Sequence, residues 1–586
     1  MKIFKAIFFA AALLSLPVYS QAQSLGVMRT SLIEGDVQIK IQETGEWAPV
    51  AVNTPLMEGD QIWVPDGARA ELQLNTNTYI RLDQNSALEI LRIEKDAPQF
   101  YVSQGHAYIY YNAARRGVIQ VDTPAASIRS YESSVFRIDI PDEFTDVSVF
   151  KGSVDAENNV GSIRVPADNT LSLGVDTNAE LAPLGPPDDW ELWNKERNRR
   201  VFARKVSTEY LPDELRPYAY DFDSGGRWVN VPDYGNCWTP TVDISVGWAP
   251  YRHGRWIWSG GDYVWVSYES WGWAPYHYGR WAFVGSVGWC WVPPVRNEVF
   301  WSPGYVAWVT TGDYVAWVPL APGELYYGHG YYGPHSVNIT NININQVNVT
   351  NVYKNVNVAN SITVINRNTF ISGRPATVNP NVITNIKKNM FLTRKINVAG
   401  PQIKPTAASY APLVKSVPAA KLPPKAVRNI QVRELKQSRP LVKEQKKSVF
   451  NPKGQPRELR VNKVETPRTI TERMKQRQQL QPSVKGKAAV PPAALEERKG
   501  KREKTIVVPE GKGGPAAGPD VREKRKEKIV VPVGKGGPAA GPDVREKRKE
   551  KIVVPEGKGG PKTPAGPVGR KEDKQKSEEQ EKRENR

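Results

Sequence analysis

The chain has 586 residues and a formal net charge of +19, and 10% of its residues are aromatic. The positive charge is concentrated in residues 401–586, which hold 47 Lys and Arg against 22 Asp and Glu, whereas the first 400 residues are slightly acidic. This distribution excludes a folded, basic nucleic-acid-binding face, because the excess charge lies where aromatic residues are few. Beyond the first 22 residues, no stretch approaches the roughly 20 apolar residues of a membrane-spanning helix, which argues against a transmembrane receptor.

Residues 1–22 have the pattern of a secretory signal peptide. Lys2 and Lys5 supply positive charge, residues 7–18 form a short apolar run, and Ser20 and Ala22 are small residues at the two cleavage positions. A membrane anchor is the alternative interpretation, but the apolar run is short for one. We therefore expect an exported protein, located in the periplasm or at the cell surface.

Residues 25–184 predict a single β domain. Apolar and polar residues alternate in many short segments, such as residues 37–41, 70–74 and 136–140, and turn residues separate them. Because hardly any helical pattern interrupts these segments, we expect an antiparallel β sandwich, roll or short solenoid. Asp60 and Asp122 are interpreted as turn or cap residues rather than as a catalytic acid pair.

This domain resembles the FecR-type domain of bacterial envelope proteins. The resemblance rests on residues 55–62 (PLMEGDQI), 67–74 (GARAELQL), 121–126 (VDTPAA) and 147–154 (VSVFKGSV). Residues 75–78 (NTNT) depart from the Asp-Gly turn that the family usually has. The best-understood members relay iron–siderophore status to a sigma factor across the inner membrane, which requires a transmembrane helix that this sequence does not predict. The resemblance thus implies the fold and an extracytoplasmic location, and not iron signalling.

Residues 186–205 predict a connecting helix. Pro and Asp precede it, Arg residues lie toward its end, and Trp190 and Trp193 share one face. We expect this helix to dock between two β domains.

Residues 220–325 predict a second β domain, built from four tryptophan-rich hairpins. Fourteen of the 18 tryptophans lie between Trp228 and Trp317, and the tripeptide Gly-Arg-Trp begins at residues 226, 254 and 279. Gly and Asp separate the aromatic runs, as in hairpin turns. The spacing indicates repeats that share a core, as a twisted meander, a small barrel or a propeller-like array.

So many indoles must either pack on one another or bind a ligand, because each can bury roughly 200 Å². The structural interpretation is a repeated Arg–aromatic ladder at Arg227, Arg255 and Arg280, in which each cation–π contact contributes roughly 0.5–2 kcal/mol. The functional interpretation is a platform of exposed rings that stack on sugars or bases. Its candidates lie in two related loops: Trp248, Tyr251, Trp271, Trp273, Tyr276 and Tyr278.

The same region is similar to a Trp-rich repeat region that directly follows a FecR-type domain in exported bacterial proteins. Residues 247–258, 271–281, 288–293 and 317–324 carry this resemblance. It implies an architecture and a compartment, and no activity.

Cys237 and Cys290 are the only cysteines, and they occupy matching places in the first and third hairpins. An exported pair can form a disulfide if the Cα atoms approach within about 7 Å, although these hairpins are not neighbours in an open meander. The cysteines lack the close spacing of a structural zinc site. The single histidines of the aromatic loops more often form hydrogen bonds than bind metal: His253, His277, His329 and His335. We expect no metal and no cofactor.

Residues 336–372 alternate Val or Ile with Asn and predict strands that add to a sheet edge. Residues 400–586 predict a disordered basic tail with 23-residue repeats that open at Ile506, Ile529 and Ile552. Such a tail can bind anionic envelope polymers nonspecifically, or it can be a soluble spacer.

No catalytic constellation accompanies these features, since hydrolysis of a glycoside needs two positioned carboxylates and the acidic residues of the aromatic domain fall mostly in turns. We predict a mainly β, non-enzymatic, exported envelope protein that acts as a binding or scaffolding module. Its expected partners are an envelope protein or polysaccharide, and an anionic polymer bound by the tail, without specific nucleic acid. One alternative is a carbohydrate-binding protein that uses exposed aromatic rings, and another is a FecR-like regulatory sensor that acts through a membrane partner.

Overall fold

The computed structural model describes residues 25–340, 352–372, 378–398, 400–410, 422–442 and 447–467, together with residues 472 and 475. All of these residues belong to the first of two units of the chain, Met1–Lys487. The predicted signal peptide and the 23-residue repeats lie outside the described residues.

The first domain contains sixteen strands. In chain order they are β1 (Met28–Glu34), β2 (Gln38–Lys40), β3 (Trp47–Pro49), β4 (Gln61–Val64), β5 (Arg69–Leu74), β6 (Tyr79–Leu82), β7 (Ser86–Arg92), β8 (Gln99–Tyr111), β9 (Ile119–Asp122), β10 (Ser127–Ser130), β11 (Ser134–Ile140), β12 (Thr145–Lys151), β13 (Ser153–Glu157), β14 (Ser162–Pro166), β15 (Asn169–Leu173) and β16 (Ala179–Pro183).

These strands form two sheets that share the long strand β8. One sheet has the order β1-β5-β6-β8-β11-β12-β15-β16, and the other has the order β3-β2-β4-β7-β8-β9-β10-β13-β14. Within them, only the β8–β9 pair is parallel. Gly105 stands where β8 passes from one sheet to the other, with φ of 84°, and a Cβ there would come within 2.6 Å of the Asn85 carbonyl oxygen. The crossing therefore requires glycine at this position.

The core of this domain fills the space between the two sheets. Alternating Leu, Ile, Val and Phe side chains point inward, and Leu72, Ile80, Phe100, Ile109 and Phe136 are all buried. The alternation that predicted the strands is the same property that gives each of them one face for this core. The predicted mainly β, antiparallel fold is confirmed.

Helix α1 (Asp189–Phe202) follows, at the predicted place. The Asp188 carboxylate caps it by accepting a hydrogen bond from the Glu191 amide at 2.8 Å. Trp190 packs on Tyr108 of the first domain, and Arg197 lies 4.9 Å from the ring of Tyr220, which is in α2 (Ala219–Gly225). Two 3-10 turns, Val206–Glu209 and Asp213–Tyr218, separate the two helices. Helix α1 thus contacts both β domains.

The second domain contains the four hairpins. They are β17 (Gly226–Val231) with β18 (Gly235–Pro240), β19 (Gly254–Ser259) with β20 (Asp262–Ser267), β21 (Arg280–Val284) with β22 (Gly288–Val292), and β23 (Val306–Thr310) with β24 (Tyr314–Pro319). A short helix, α3 (Trp273–His277), lies between the second and third hairpins.

Each hairpin pairs two tryptophans directly across its strands. The pairs are Trp228–Trp238, Trp256–Trp265, Trp281–Trp291 and Trp308–Trp317. Directly opposed aromatic side chains stabilise an antiparallel pair, so the repeat unit is a hairpin organised around one indole pair. Hairpins one and three also join, through Trp238 and Trp291, into the sheet β17-β18-β22-β21. The predicted separation of these two hairpins is therefore wrong.

The Asn-rich region is strand only in part. Among its described residues are β26 (Ser336–Asn338), which pairs with β25 (Tyr326–Gly328), and β27 (Thr363–Asn366), which adds to the edge of β24. Residues 354–357 form a 3-10 turn instead of a strand. Helices α4 (Arg367–Ser372) and α5 (Pro380–Ile386) follow, and residues 341–351 lie outside the described part.

The predicted start of the disordered tail, at residue 400, is too early. Residues 422–442 and 447–467, which we call the C-terminal strap, lie against the first domain and include α6 (Lys425–Arg428), α7 (Val432–Ser438) and β28 (Val461–Lys463). Strand β28 pairs in parallel with the edge strand β16. Val427, Val442, Val449 and Leu459 are buried, so these few apolar residues anchor an otherwise basic segment.

Candidate ligand-binding cleft

The predicted stacking residues form core instead of an exposed platform. Trp271, Trp273, Tyr251 and Tyr276 are at most 1% exposed, and Tyr278 is also buried. Trp248 is half-buried and packs edge-on against Trp271 and Trp281. A stacking platform needs an open ring face, and these five buried rings offer none.

Polar contacts hold this loop in place. Trp248 Nε1 and the Tyr276 hydroxyl both donate to Glu269 Oε1, at 3.0 and 3.2 Å, and the Tyr251 hydroxyl donates to the Tyr276 carbonyl oxygen at 2.6 Å. Burial raises the pKa of Glu269. Its role as the centre of the loop was missed in the sequence, where it is one acidic residue among aromatic neighbours.

The three repeat arginines occupy three different environments, so they do not form a ladder. The Arg280 guanidinium lies 3.4 Å from the centre of the Tyr305 ring, on a tyrosine rather than on an indole. Arg227 is exposed to solvent. Arg255 lines a cleft at the outer side of the second hairpin. The three Gly-Arg-Trp repeats are alike in sequence, but their arginines therefore lie in different surroundings in the structure.

This cleft, which we call the arginine cleft, has a volume of about 170 Å³. It brings together residues from distant parts of the chain: Arg252, Arg255 and Trp256 at β19, Trp317 on β24, Thr363 on β27, and Phe370 on α4. No Asp or Glu is among its described lining residues. The cleft therefore combines two cations, aromatic residues and three hydroxyl-bearing residues, a mixture of apolar and polar groups found in ligand sites.

Two polar atoms of the lining have no hydrogen-bond partner among the described residues. They are the hydroxyl of Thr363 and the indole nitrogen of Trp256, and both are buried. Buried polar groups are ordinarily paired with protein or water. Arg252 donates to the carbonyl oxygens of Gly247 and Asn360, at 3.2 and 3.3 Å, and burial lowers its pKa.

Cys237 and Cys290 are free thiols that lie side by side. Because Trp238 opposes Trp291, the two cysteines are diagonal neighbours on one face of adjacent strands. Both are fully buried in a small apolar cluster with Val231 and Ala282. A hydrogen bond joins the two thiols. This hydrogen bond and burial both raise the pKa of Cys290.

The predicted histidines are dispersed. His277 is buried, its Nδ1 lies 2.8 Å from the Ser302 carbonyl oxygen, and burial lowers its pKa to about 4. His329 lies near Asp262, whose carboxylate raises the pKa of the histidine. Among the residues described, no three His, Cys, Asp or Glu side chains are grouped so that they could hold a metal ion.

A buried polar junction connects the second domain to the first. Arg29 on β1 forms an ion pair with Asp221 on α2 at 2.5 Å, and its other donors bond Gln73 and Asn53. The Asn53 amide in turn donates to the Glu269 carbonyl oxygen at 2.8 Å. The junction thus reaches from the sheet of the first domain to the loop that contains Glu269.

Comparison with known protein families agrees with the division of the described chain into two β domains. Residues 60–155 match the family described as FecR protein, and residues 219–324 match the family of unknown function DUF6600. The chain therefore carries a FecR domain followed by a DUF6600 domain, which confirms both resemblances. No curated protein has significant similarity to the chain.

Two solved structures are similar to part of the chain. Both are crystal structures of an anti-sigma factor from Parabacteroides distasonis, at 1.65 and 2.50 Å resolution. The identities are 19% and 18%, over 27% of this chain and 74% and 73% of those chains, with a TM-score of 0.20 in each case. Likeness at this level says nothing about activity.

Proposed function

We propose that this protein is an exported, non-enzymatic envelope protein in which the FecR and DUF6600 domains act as one rigid binding scaffold. The observation that carries the proposal is the buried junction around Arg29. Separating Arg29 from Asp221 would leave a charge buried without its partner, which is strongly unfavourable. A fixed arrangement of the two domains suits a protein that presents binding surfaces, rather than one that closes around a substrate.

The composition of the arginine cleft supports a binding role over a catalytic one. Arg252 and Arg255 carry guanidinium groups, which can hold an anion but are not suited to act as a general base. The described lining has no carboxylate, imidazole or thiol that could act as an acid, a base or a nucleophile.

The basic tail completes this proposal as a tether. Residues 401–586 carry 47 basic against 22 acidic residues, and the strap attaches the start of this region to the FecR domain. The remaining basic residues would bind anionic envelope polymers by charge, with a strong dependence on salt.

A regulatory role is the second candidate, favoured by the FecR match at residues 60–155. In this role the protein would act through a membrane partner. Within the described ranges, every helix is too short or too polar to cross a bilayer.

Cell fractionation tests the first proposal. Full-length protein is expected in the envelope fraction with its first 22 residues removed, and about 1 M salt should release it because screening at that concentration acts within roughly 3 Å. A variant that ends at Lys487 is the control, and it should be released at lower salt. Mature protein retained in the cytosol with its leader intact would contradict the proposal, and co-purification with a membrane-bound sigma regulator would favour the second candidate.

A further inference from the structure

The FecR domain binds the central segment of the C-terminal strap largely through main-chain atoms of that segment. Gln99 Nε2 donates to the Arg439 carbonyl oxygen at 2.9 Å. The Gln120 side chain donates to the Pro440 carbonyl oxygen and accepts from the Val442 amide, both at 3.1 Å. Hydrogen bonds to the main chain form with many different residues, so these contacts leave the sequence of the bound segment open.

Three side chains of the central segment, residues 432–442, add contacts of their own. Lys436 forms an ion pair with Glu58 at 2.9 Å. The Arg439 guanidinium donates to two main-chain carbonyl oxygens of the FecR domain, at 3.1 Å each. The Val442 side chain is buried. The groups of the FecR domain that hold the segment form what we call the strap site: Glu58, Gln99, Gln120 and the carbonyl groups of Thr123 and Pro124.

The basic tail repeats the central segment twice, outside the described residues. Residues 521–531 and 544–554 both read VREKRKEKIVV, against VRELKQSRPLV in the strap. Four of the eleven positions are identical, and the two basic residues and the valine that contact the strap site are kept as Arg, Lys and Val. Gln437 and Ser438, which become Lys and Glu, are exposed in the strap. Leu435, which becomes Lys, is half-buried, and a lysine stem can cover the same apolar surface.

The tail copies also improve on the strap at two positions. Gln431 at the N-cap of α7 makes no capping hydrogen bond through its side chain, whereas Asp520 and Asp543 stand at the matching position, and Asp is a preferred N-cap residue. Pro440 has no N–H, and the tail has Ile in its place. The side-chain oxygen of Gln99, which bonds the preceding carbonyl group through its nitrogen, is buried without a hydrogen-bond partner among the described residues. An N–H at this position would supply the missing donor.

We infer that the strap site binds residues 521–531 or 544–554 of a second copy of this chain, in exchange with its own strap. One chain has one strap site and three segments that fit it, so two segments remain for other copies. In the exchanged form a basic side chain pairs with Glu58, the last valine takes the place of Val442, and Gln120 bonds the backbone. The inference rests on the proposed function, because it names a binding surface of that scaffold and the partner of this surface.

Fluorescence anisotropy with a labelled peptide of residues 520–531 tests the inference on the full-length protein. The variant Val442→Asp/Val531→Asp/Val554→Asp places a carboxylate at the apolar position of all three internal segments, which is unfavourable in a buried site. We expect saturable binding of the peptide to this variant. Binding to the unmodified protein should be weaker by about tenfold or more, because the linked strap competes at a high effective concentration.

Gln120→Ala in the same triple variant should weaken peptide binding by about tenfold or more, since it removes two main-chain hydrogen bonds. Gln104→Ala is the matched control, because Gln104 also lies in the second sheet but outside the strap site. It should bind the peptide as the triple variant does. Near-ultraviolet circular dichroism should be the same for both glutamine variants. A peptide of the same composition in scrambled order controls for charge, and it should bind about tenfold more weakly or less.

Sedimentation equilibrium of the full-length protein tests the exchange between copies. The unmodified protein should associate as its concentration rises, and Val531→Asp/Val554→Asp should abolish this association. Lys526→Gln/Lys549→Gln is the control, because it restores the residue of the exposed strap position 437, and it should associate as the unmodified protein does.

Four results would overturn the inference: no saturable peptide binding to the triple variant, equal binding of the scrambled peptide, equal affinity in the Gln120 and Gln104 variants, or association that does not depend on the two tail valines. The scaffold proposal fails separately, by a cytosolic location in the fractionation experiment. Loss of peptide binding with retained envelope association would therefore reject the exchange and leave the scaffold standing.

Discussion

Glu89 illustrates how burial controls the protonation of a side chain in the FecR domain. It lies on β7 without solvent contact, and the Ser103 hydroxyl donates to it at a long distance of 3.3 Å. Burial raises its pKa to about 8, although the Ser103 hydroxyl and the charge of Lys40 act in the opposite direction. The side chain is therefore mainly protonated at neutral pH in the folded protein, and ionised in the unfolded chain.

This difference predicts a stability that falls as pH rises. Because the folded pKa of Glu89 exceeds its unfolded value of 4.5, its favourable contribution is complete below pH 4.5 and is lost as pH rises through about 8. Glu89→Gln should remove that loss. The free energy of unfolding of the variant minus that of the unmodified protein should therefore rise by roughly 3 kcal/mol between pH 5 and pH 8. Urea unfolding of both proteins at pH 5 and at pH 8 measures this difference. Glu143→Gln, at an exposed position, should show no such change, and parallel pH profiles for the Glu89 variant and the unmodified protein would contradict the assignment.

At the scale of elements, hairpins one and three touch at a point where a covalent link can form. The thiols of Cys237 and Cys290 lie side by side on β18 and β22. Oxidation would join the two sulfur atoms, and the two electrons and two protons would pass to a disulfide oxidant such as glutathione disulfide, which becomes two thiols.

We predict that protein recovered from an oxidising compartment carries this disulfide. Maleimide labelling after denaturation should detect no free thiol in the unmodified exported protein. The Cys237→Ser variant should show one free thiol, that of Cys290. Reduction should lower the free energy of unfolding by about 4 kcal/mol, on the loop-closure estimate for a loop of roughly 50 residues. Protein with its leader deleted, kept in the reducing cytosol, is the control. Two labelled thiols in the exported protein would exclude the link.

The C-terminal strap is held to the FecR domain by a few apolar anchors, by main-chain hydrogen bonds and by side chains such as Lys436, which forms an ion pair with Glu58. The Glu157 carboxylate accepts from the Val449 amide at 3.0 Å and also forms an ion pair with Arg129. Gln120 accepts from the Val442 amide at 3.1 Å. Polar side chains of the sheet thus bind the backbone of the strap, and the Val442 and Val449 side chains are buried beside these contacts.

Val449→Asp should therefore release the strap without unfolding the FecR domain. The new carboxylate would be buried beside Glu157, which is unfavourable for two like charges. Hydrogen exchange should lose protection in residues 422–442 and 447–467 by tenfold or more, while β8 and β11 keep theirs. Lys453→Asp, at an exposed position of the same strap, should leave protection unchanged. Unaltered exchange in the Val449 variant would show that the strap does not depend on this anchor.

At the scale of the whole molecule, the Arg29 junction is a buried polar contact between the two domains. Arg29 on β1 and Asp221 on α2 are both buried, and Asn53 extends the contact to the aromatic loop. Such a network is unfavourable to open, because each group depends on the others for its hydrogen bonds.

Arg29→Met should destabilise the protein by about 3–5 kcal/mol, since Asp221 would remain buried without its cation. We also expect the single thermal transition to separate into two in calorimetry, one for each domain. Arg227→Met, an exposed control, should change stability by less than about 0.5 kcal/mol. A loss below about 1 kcal/mol with one transition retained would show that the junction does not couple the domains.

Local patterns in the sequence determined the strands of the FecR domain, helix α1 and the four hairpins, because alternation, capping residues and turn residues act between near neighbours in the chain. Tertiary structure alone decided which of these elements meet. The pairing of β18 with β22 brought Cys237 beside Cys290, and packing into the aromatic core buried the rings predicted to stack. The arginine cleft joins residues 252 to 370, and the strap returns to β16 from nearly 300 residues away. Such contacts depend on the packing of complete elements against one another, which no local periodicity encodes.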